Sequence, residues 1–218
     1  MIEALYFDFD GVLTLNERGS TITIGAIQEA YPDVPTERVS ECYYRFHPRL
    51  LLGEVDHYTI WDAFCSCVGK DLAPDILTQA FLATPMNVDM LALATEVAKS
   101  HRVGIITANA AERMTPLIEA HRLDSLFNPI VISAEVGALK TDPLIFHAAL
   151  GDQRPEACVF VDNQERNLTV PTELGFKTYL FDPKQNDISA LRNQLGKWGV
   201  RVEGECGRQT ASLVVVQE

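Results

Sequence analysis

Three features of the sequence predict an α/β fold built on a doubly wound, mostly parallel sheet. Short apolar runs alternate with amphipathic helical patterns along most of the chain. The runs read as strands buried on both faces, as in a parallel sheet covered by helices. One long helical interval breaks the alternation after the first strand and is far longer than a crossover needs, which marks an inserted helical cap.

The elements follow in order. Residues 3–9 form the first strand, which ends on the carboxylates Asp8 and Asp10. Cap helices are expected over 23–30, 36–51, 58–68 and 74–83, punctuated by Pro32, Pro35, Pro48 and Pro85. The alternation then resumes, with strands at 102–107, 129–133, 157–161 and 176–181 and helices at 87–100, 111–121, 142–150, 164–174 and 186–197. This divides the chain into an α/β core at 1–19 and 86–198, a cap at 20–85 and a C-terminal extension at 199–218. In the extension, Val200–Glu203 and Ser212–Val216 read either as a short hairpin around a polar turn or as an unstructured end.

With 218 residues and 47% hydrophobic content, the chain is long enough for one sizeable core with a modest insertion. A net charge of -12 opposes non-specific attraction to nucleic acid or anionic membrane, so neither is an expected partner. The first residues carry no basic region ahead of an apolar run, and no 18-residue apolar segment follows, so a cytoplasmic protein is expected. The five cysteines are an odd number in a chain that does not need staples, which favours free thiols in a reduced compartment. Cys65-Ser66-Cys67 lacks the spacing of a zinc pair.

The chemistry concentrates at predicted strand ends. Asp8 with Asp10, Thr107, Lys140 and Asp162 each follow a strand or precede a helix, and the carboxyl ends of the strands border the ligand crevice of an open α/β sheet. Each alone reads more readily as a helix cap, a turn or a solvated lysine; their joint placement at one edge turns the argument toward catalysis. Close carboxylates repel unless a cation is present, and Mg²⁺ prefers such hard oxygen ligands, so Asp8, Asp10 and Asp162 are the expected metal ligands. For phosphoryl transfer Asp8 is assigned as nucleophile and Asp10 as the acid and base for leaving oxygen and water. Thr107 and Lys140 would bind the phosphoryl oxygens. In the cap, Tyr43, Tyr44, Arg45, His47, Arg49, His57 and Trp61 are candidates for the substrate side, with Arg45 or Arg49 reading an acid group.

These residues carry a resemblance over about residues 3–190. The segment Asp8-Phe9-Asp10-Gly11-Val12-Leu13-Thr14 resembles the first motif of the haloacid dehalogenase superfamily, Thr107 its second, Ile132 to Phe146 with Lys140 its third, and Val159 to Asn167 with Asp162 its fourth. The resemblance implies a Rossmann-like core with a helical cap and a Mg²⁺-dependent hydrolase acting through an aspartyl-phosphate, with Thr107, Ala108, Asn109 and Lys140 at the phosphate. It departs from the family pattern at Ala108, where Asn is common, with Asn109 one residue later. Thr141 replaces a common Pro, and Asn163 replaces a second acid. Asp10 favours phosphate esters over halides, because an alkoxide leaving group needs a proton. The expected substrate is a small phosphorylated molecule and the expected state a monomer or homodimer. The alternatives are a dehalogenase or phosphomutase of the same superfamily, or a catalytically weak member acting through protein contacts.

Overall fold

The structure, a computed structural model, describes residues 1–202. In chain order it contains β1 (Ala4–Phe7), α1 (Gly19–Ala30), α2 (Thr36–Leu51), α3 (Trp61–Val68), α4 (Asp75–Leu82), α5 (Val88–Ala98) and β2 (Arg102–Thr107). There follow α6 (Ala111–His121), β3 (Ile130–Ile132), α7 (Ser133–Val136), α8 (Pro143–Leu150), β4 (Cys158–Asp162), α9 (Thr169–Leu174), β5 (Lys177–Leu180) and α10 (Ile188–Lys197). The five strands form one sheet in the order β3-β2-β1-β4-β5. All pairings are parallel, with Phe7 opposite both Ile105 and Val161. The order reverses at β1, so the end of β1 opens into the crevice where such sheets bind ligands.

The two-residue period of β1 divides its side chains between two apolar layers. Leu5 and Phe7 pack with Val103, Ile105, Val159 and Val161 against α5, α6 and α10. Ala4 and Tyr6 pack with Ile106, Phe146, Phe160 and Phe176 under α8 and α9. All four residues of β1 are buried, which explains why the strand is apolar throughout. A separate apolar cluster lies wholly within residues 24–81, including Ile27, Val39, Phe64, Leu77 and Phe81. The four cap helices therefore carry their own core.

Three local differences from the sequence reading have physical causes. First, β1 stops at Phe7, because the Asp8 carboxylate accepts from Phe9 N at 2.7 Å and the chain then turns. A π-type turn spans Phe9–Leu13, with Gly11 at φ 79°, a conformation in which glycine avoids the Cβ penalty. Second, the helix expected over 164–174 is divided into a 3-10 turn at Glu165–Asn167 and α9. Gln164 N and Asn167 Nδ2 bend back to donate to Asp162. Third, Cys42 of α2 and Cys67 of α3 form a disulfide, which corrects the reading of all cysteines as free. The cap brings their Cα atoms to 5.8 Å across 25 residues of sequence. The strands proposed around the polar turn of the extension lie largely outside the described residues. Among the described residues, no helix is long and apolar enough to cross a membrane.

Candidate active site

A cavity of about 350 Å³ opens at the carboxyl ends of β1, β2 and β4, beneath the cap. Its floor includes Asp8, Thr107 and Lys140; Tyr43, Tyr44, His47 and His57 come over it from the cap side; Glu17, Arg18, Gln164 and Arg166 also line it.

The floor is built around one buried ammonium. Lys140 follows the αL residue Gly137, which ends α7, and precedes the Asp142 cap of α8. Its Nζ lies 2.5 Å from Asp8 Oδ1 and 2.7 Å from Asp162 Oδ2. Asp162 is fully buried at the end of β4, where Asn167 Nδ2 donates to both its oxygens at 3.0 and 3.1 Å. Burial pushes the Asp8 carboxyl up to about 8; Lys140 opposes the rise, while Asp162 and Asp10 add to it. Burial alone would lower the Lys140 ammonium, but Asp162 and Asp8 outweigh it and the net shift is upward. The group thus holds its lysine charged and remains short of positive charge.

Asp10 lies beyond the strand, in the turn, and belongs to a second group. Arg113 of α6 grips it with two parallel bonds, NH1 to Oδ2 and NH2 to Oδ1, both 2.8 Å. Asn109 and Asn16 donate to the same carboxylate at 2.9 and 3.0 Å. Burial alone would raise Asp10, but the Arg113 charge and these hydrogen bonds overcome it and hold the carboxyl below its usual range. Arg113 reaches this position because α1 begins with Gly19: a Cβ there would stand 2.4 Å from the guanidinium carbon. Asn109 Nδ2 also donates to Thr107 Oγ1 at 3.1 Å, which ties the two groups together.

The cap is joined to the core beside this network. Glu112, the neighbour of Arg113, accepts from His57 N at 2.8 Å and meets His57 Nδ1 at 2.5 Å. The other ring nitrogen of His57 faces Tyr43 OH at 3.1 Å. Ser133 Oγ of the core donates to Leu51 O of the cap at 2.6 Å. Burial pushes His47 down to about 4, with His57 and Arg18 adding to the fall.

Asp8, Thr107, Ala108, Asn109, Lys140 and Asp10 all line this one cavity. Asp162 stands directly behind Lys140. Arg45 and Arg49 are not among the lining residues: both are exposed on α2, and Arg49 pairs with Glu54 at 3.3 Å. The cap presents Tyr43 and His47 inward instead. Trp61 is also absent from the lining, its Nε1 donating to Leu72 O within the cap. The sequence reading missed Arg113 altogether, since nothing local distinguishes it and its partner is 103 residues away.

The donor chemistry fits a divalent cation in part. Asp8 and Asp162 offer hard oxygens, and the buried Oδ1 of Asn163, next to Asp162 in sequence, has no hydrogen-bond partner. The Asp10 carboxylate does not fit as a ligand, because Arg113 occupies both its oxygens; this corrects the three-aspartate set. Among the described residues, no group of three or more His, Cys, Asp or Glu side chains is arranged to hold a metal ion.

The fold agrees with the comparisons. A family model for haloacid dehalogenase-like hydrolases matches residues 2–169, and the chain belongs to that family. A mouse protein, acyl-CoA dehydrogenase family member 10, is 26% identical over 212 residues, covering 88% of this chain. The match takes in 19% of that protein's length, so the chain spans about a fifth of it. A haloacid dehalogenase family enzyme from Bacteroides thetaiotaomicron, solved as a magnesium complex, superposes with TM-score 0.72 at 19% identity, covering 88% of this chain and 98% of that one. The L-2-haloacid dehalogenase of Xanthobacter autotrophicus, with chloropropionic acid covalently bound, gives TM-score 0.62 at 18% identity, covering 92% and 85%.

Proposed function

We propose that this hydrolase is a phosphatase acting on a small phosphomonoester through an aspartyl-phosphate on Asp8. The observation that carries the reading is the convergence of Asp8, Thr107 and Lys140 on the floor of one cavity, with Asp162 behind them. Asp8 attacks phosphorus, the bond to the leaving oxygen breaks, and water later hydrolyses the acyl phosphate to restore Asp8. Lys140 keeps its positive charge beside the attacking carboxylate and faces the phosphoryl oxygens. Thr107 accepts from Asn109, which leaves its own O–H to donate to a phosphoryl oxygen. Asp10 serves the leaving oxygen and the water as acid and base once one of the two Arg113 bonds that hold its carboxylate opens. Asp8 and Asp162, with Asn163 near them, are the residues that would hold Mg²⁺, which supplies the positive charge a dianionic phosphate needs to approach a carboxylate. The Bacteroides thetaiotaomicron family enzyme has also been solved with magnesium and inorganic phosphate, which supports this class of ligand.

A dehalogenase is the second reading. It is favoured by the saturation of Asp10 by Arg113, Asn109 and Asn16, since a halide leaves without a proton.

A screen of phosphate esters and 2-haloacids in Mg²⁺, with wild type and Asp8→Asn, tests the proposal. Release of phosphate by wild type, lost by at least ~10³-fold in the variant, is expected for a covalent nucleophile. Halide release without phosphate release would transfer the assignment to the second reading, and equal rates in the two proteins would remove Asp8 from the chemistry.

A further inference from the structure

The positive charges of the cavity fall into two kinds. Lys140 and Arg113 are buried and committed to carboxylates. Arg18 and Arg166 also line the cavity, but both are exposed, and neither pairs with a carboxylate among the described residues. Glu17, the lining carboxylate nearest Arg18 in sequence, is turned to Lys184 at 3.6 Å.

Two uncommitted arginines in one cavity are notable in a chain of net charge -12, whose overall field repels anions. They are contributed by separate parts of the core: Arg18 immediately precedes α1, and Arg166 lies in the 3-10 turn after β4. Asp162 and Asn167 fix that turn from beneath, so the backbone carrying Arg166 is held by the same contacts that position the floor. Arginine presents a planar fork of donors that matches a carboxylate or a second phosphate. The cavity volume of about 350 Å³ lies near the lower end of small-molecule sites, which span roughly 300–1,000 Å³. The portion beyond the phosphate is therefore short.

We propose that Arg18 and Arg166 form an anion subsite for the leaving portion, so that the substrate is a short phosphomonoester bearing a second anionic group. This rests on the phosphatase reading. It replaces the exposed Arg45 and Arg49 with cations that line the cavity.

The test is a matched pair of esters, 3-phosphoglycerate and glycerol 3-phosphate, which differ in carboxylate against hydroxymethyl. The ratio of their kcat/KM values is measured in Mg²⁺ for wild type, Arg18→Gln, Arg166→Gln, the double variant and the two Arg→Lys variants. Wild type is expected to favour the acid about tenfold; each Gln variant lowers the ratio by roughly threefold, the double variant brings it near one, and the Lys variants keep part of it. Turnover of both esters with a wild-type ratio near one, or a ratio preserved in the double variant, overturns the subsite alone. Turnover of neither ester by a wild type that releases phosphate from other esters in the screen overturns the subsite alone, and release of phosphate from no ester overturns the phosphatase reading and the subsite with it.

Discussion

At the scale of single residues, the site is two charge groups with opposite demands. Asp8 shares one lysine with Asp162, and burial pushes its carboxyl up to about 8 in the metal-free protein. Because its folded pKa, about 8, lies above the ordinary carboxylate value, the folded state binds more protons than the unfolded between about pH 4 and 8. That contribution to stability is present at low pH and is lost as pH rises through this window. Asp8→Asn removes the titration: in metal-free protein, the melting temperature of the variant is expected to exceed that of wild type by a few degrees, ~2–8 °C, at pH 8, and by less at pH 5. A gap that widens toward pH 5 contradicts the assignment. Asp10 is the converse case, a carboxylate secured by a buried arginine. Removing one partner of such a pair strands the other, so Arg113→Met should destabilise by about 3–5 kcal/mol. Asp10→Asn with Arg113→Met should cost less than the sum of the singles, and urea unfolding of all four proteins of the cycle measures the difference.

At the scale of elements, most of the architecture was legible because periodicity reports burial. The apolar run at β1, the pattern at Ala111–His121 and the long helical interval from Gly19 onward each carry a signal within a short window. The ends of elements carried less. β1 stops at Phe7 and the helix after β4 divides because carboxylates capture nearby backbone or amide N–H groups, a side-chain event that periodicity does not register. The same limit governs the site. Asp8, Thr107, Lys140 and Asp162 were legible since each lies at an element boundary, whereas Arg113 sits inside α6, where an arginine usually reads as a solvated face. Its role depends on α1 starting with a residue that has no side chain. Gly19→Ala places a Cβ against the guanidinium and should disturb the Asp10 grip; kcat is expected to fall by ~10-fold or more, and an unchanged value would show that α1 yields without moving Arg113.

At the scale of the whole molecule, cap and core have separate main apolar clusters and meet through a small one, Leu50 and Ile60 against Ala110, and a few polar contacts beside the cavity. Glu112 is the principal acceptor among them, taking both His57 N and Nδ1. Glu112→Ala leaves those buried groups unpaired, at a cost of about 1–3 kcal/mol, and should loosen the cap while preserving the sheet. Hydrogen exchange is expected to accelerate in residues 24–81 and to remain slow in β1 and β4. Uniform acceleration would mean that cap and core open as one unit.

The central place of β1 has a consequence for how the protein is made. Its pairing partners, Arg102–Thr107 and Cys158–Asp162, leave the ribosome long after it does, while the apolar cluster of the cap is complete within residues 24–81. The insertion is therefore able to fold first, with the apolar strand ahead of it still waiting for both neighbours. Asp8 leaves the ribosome ahead of Lys140 and Asp162, so the charge group it shares with them comes into being only after β4 has emerged.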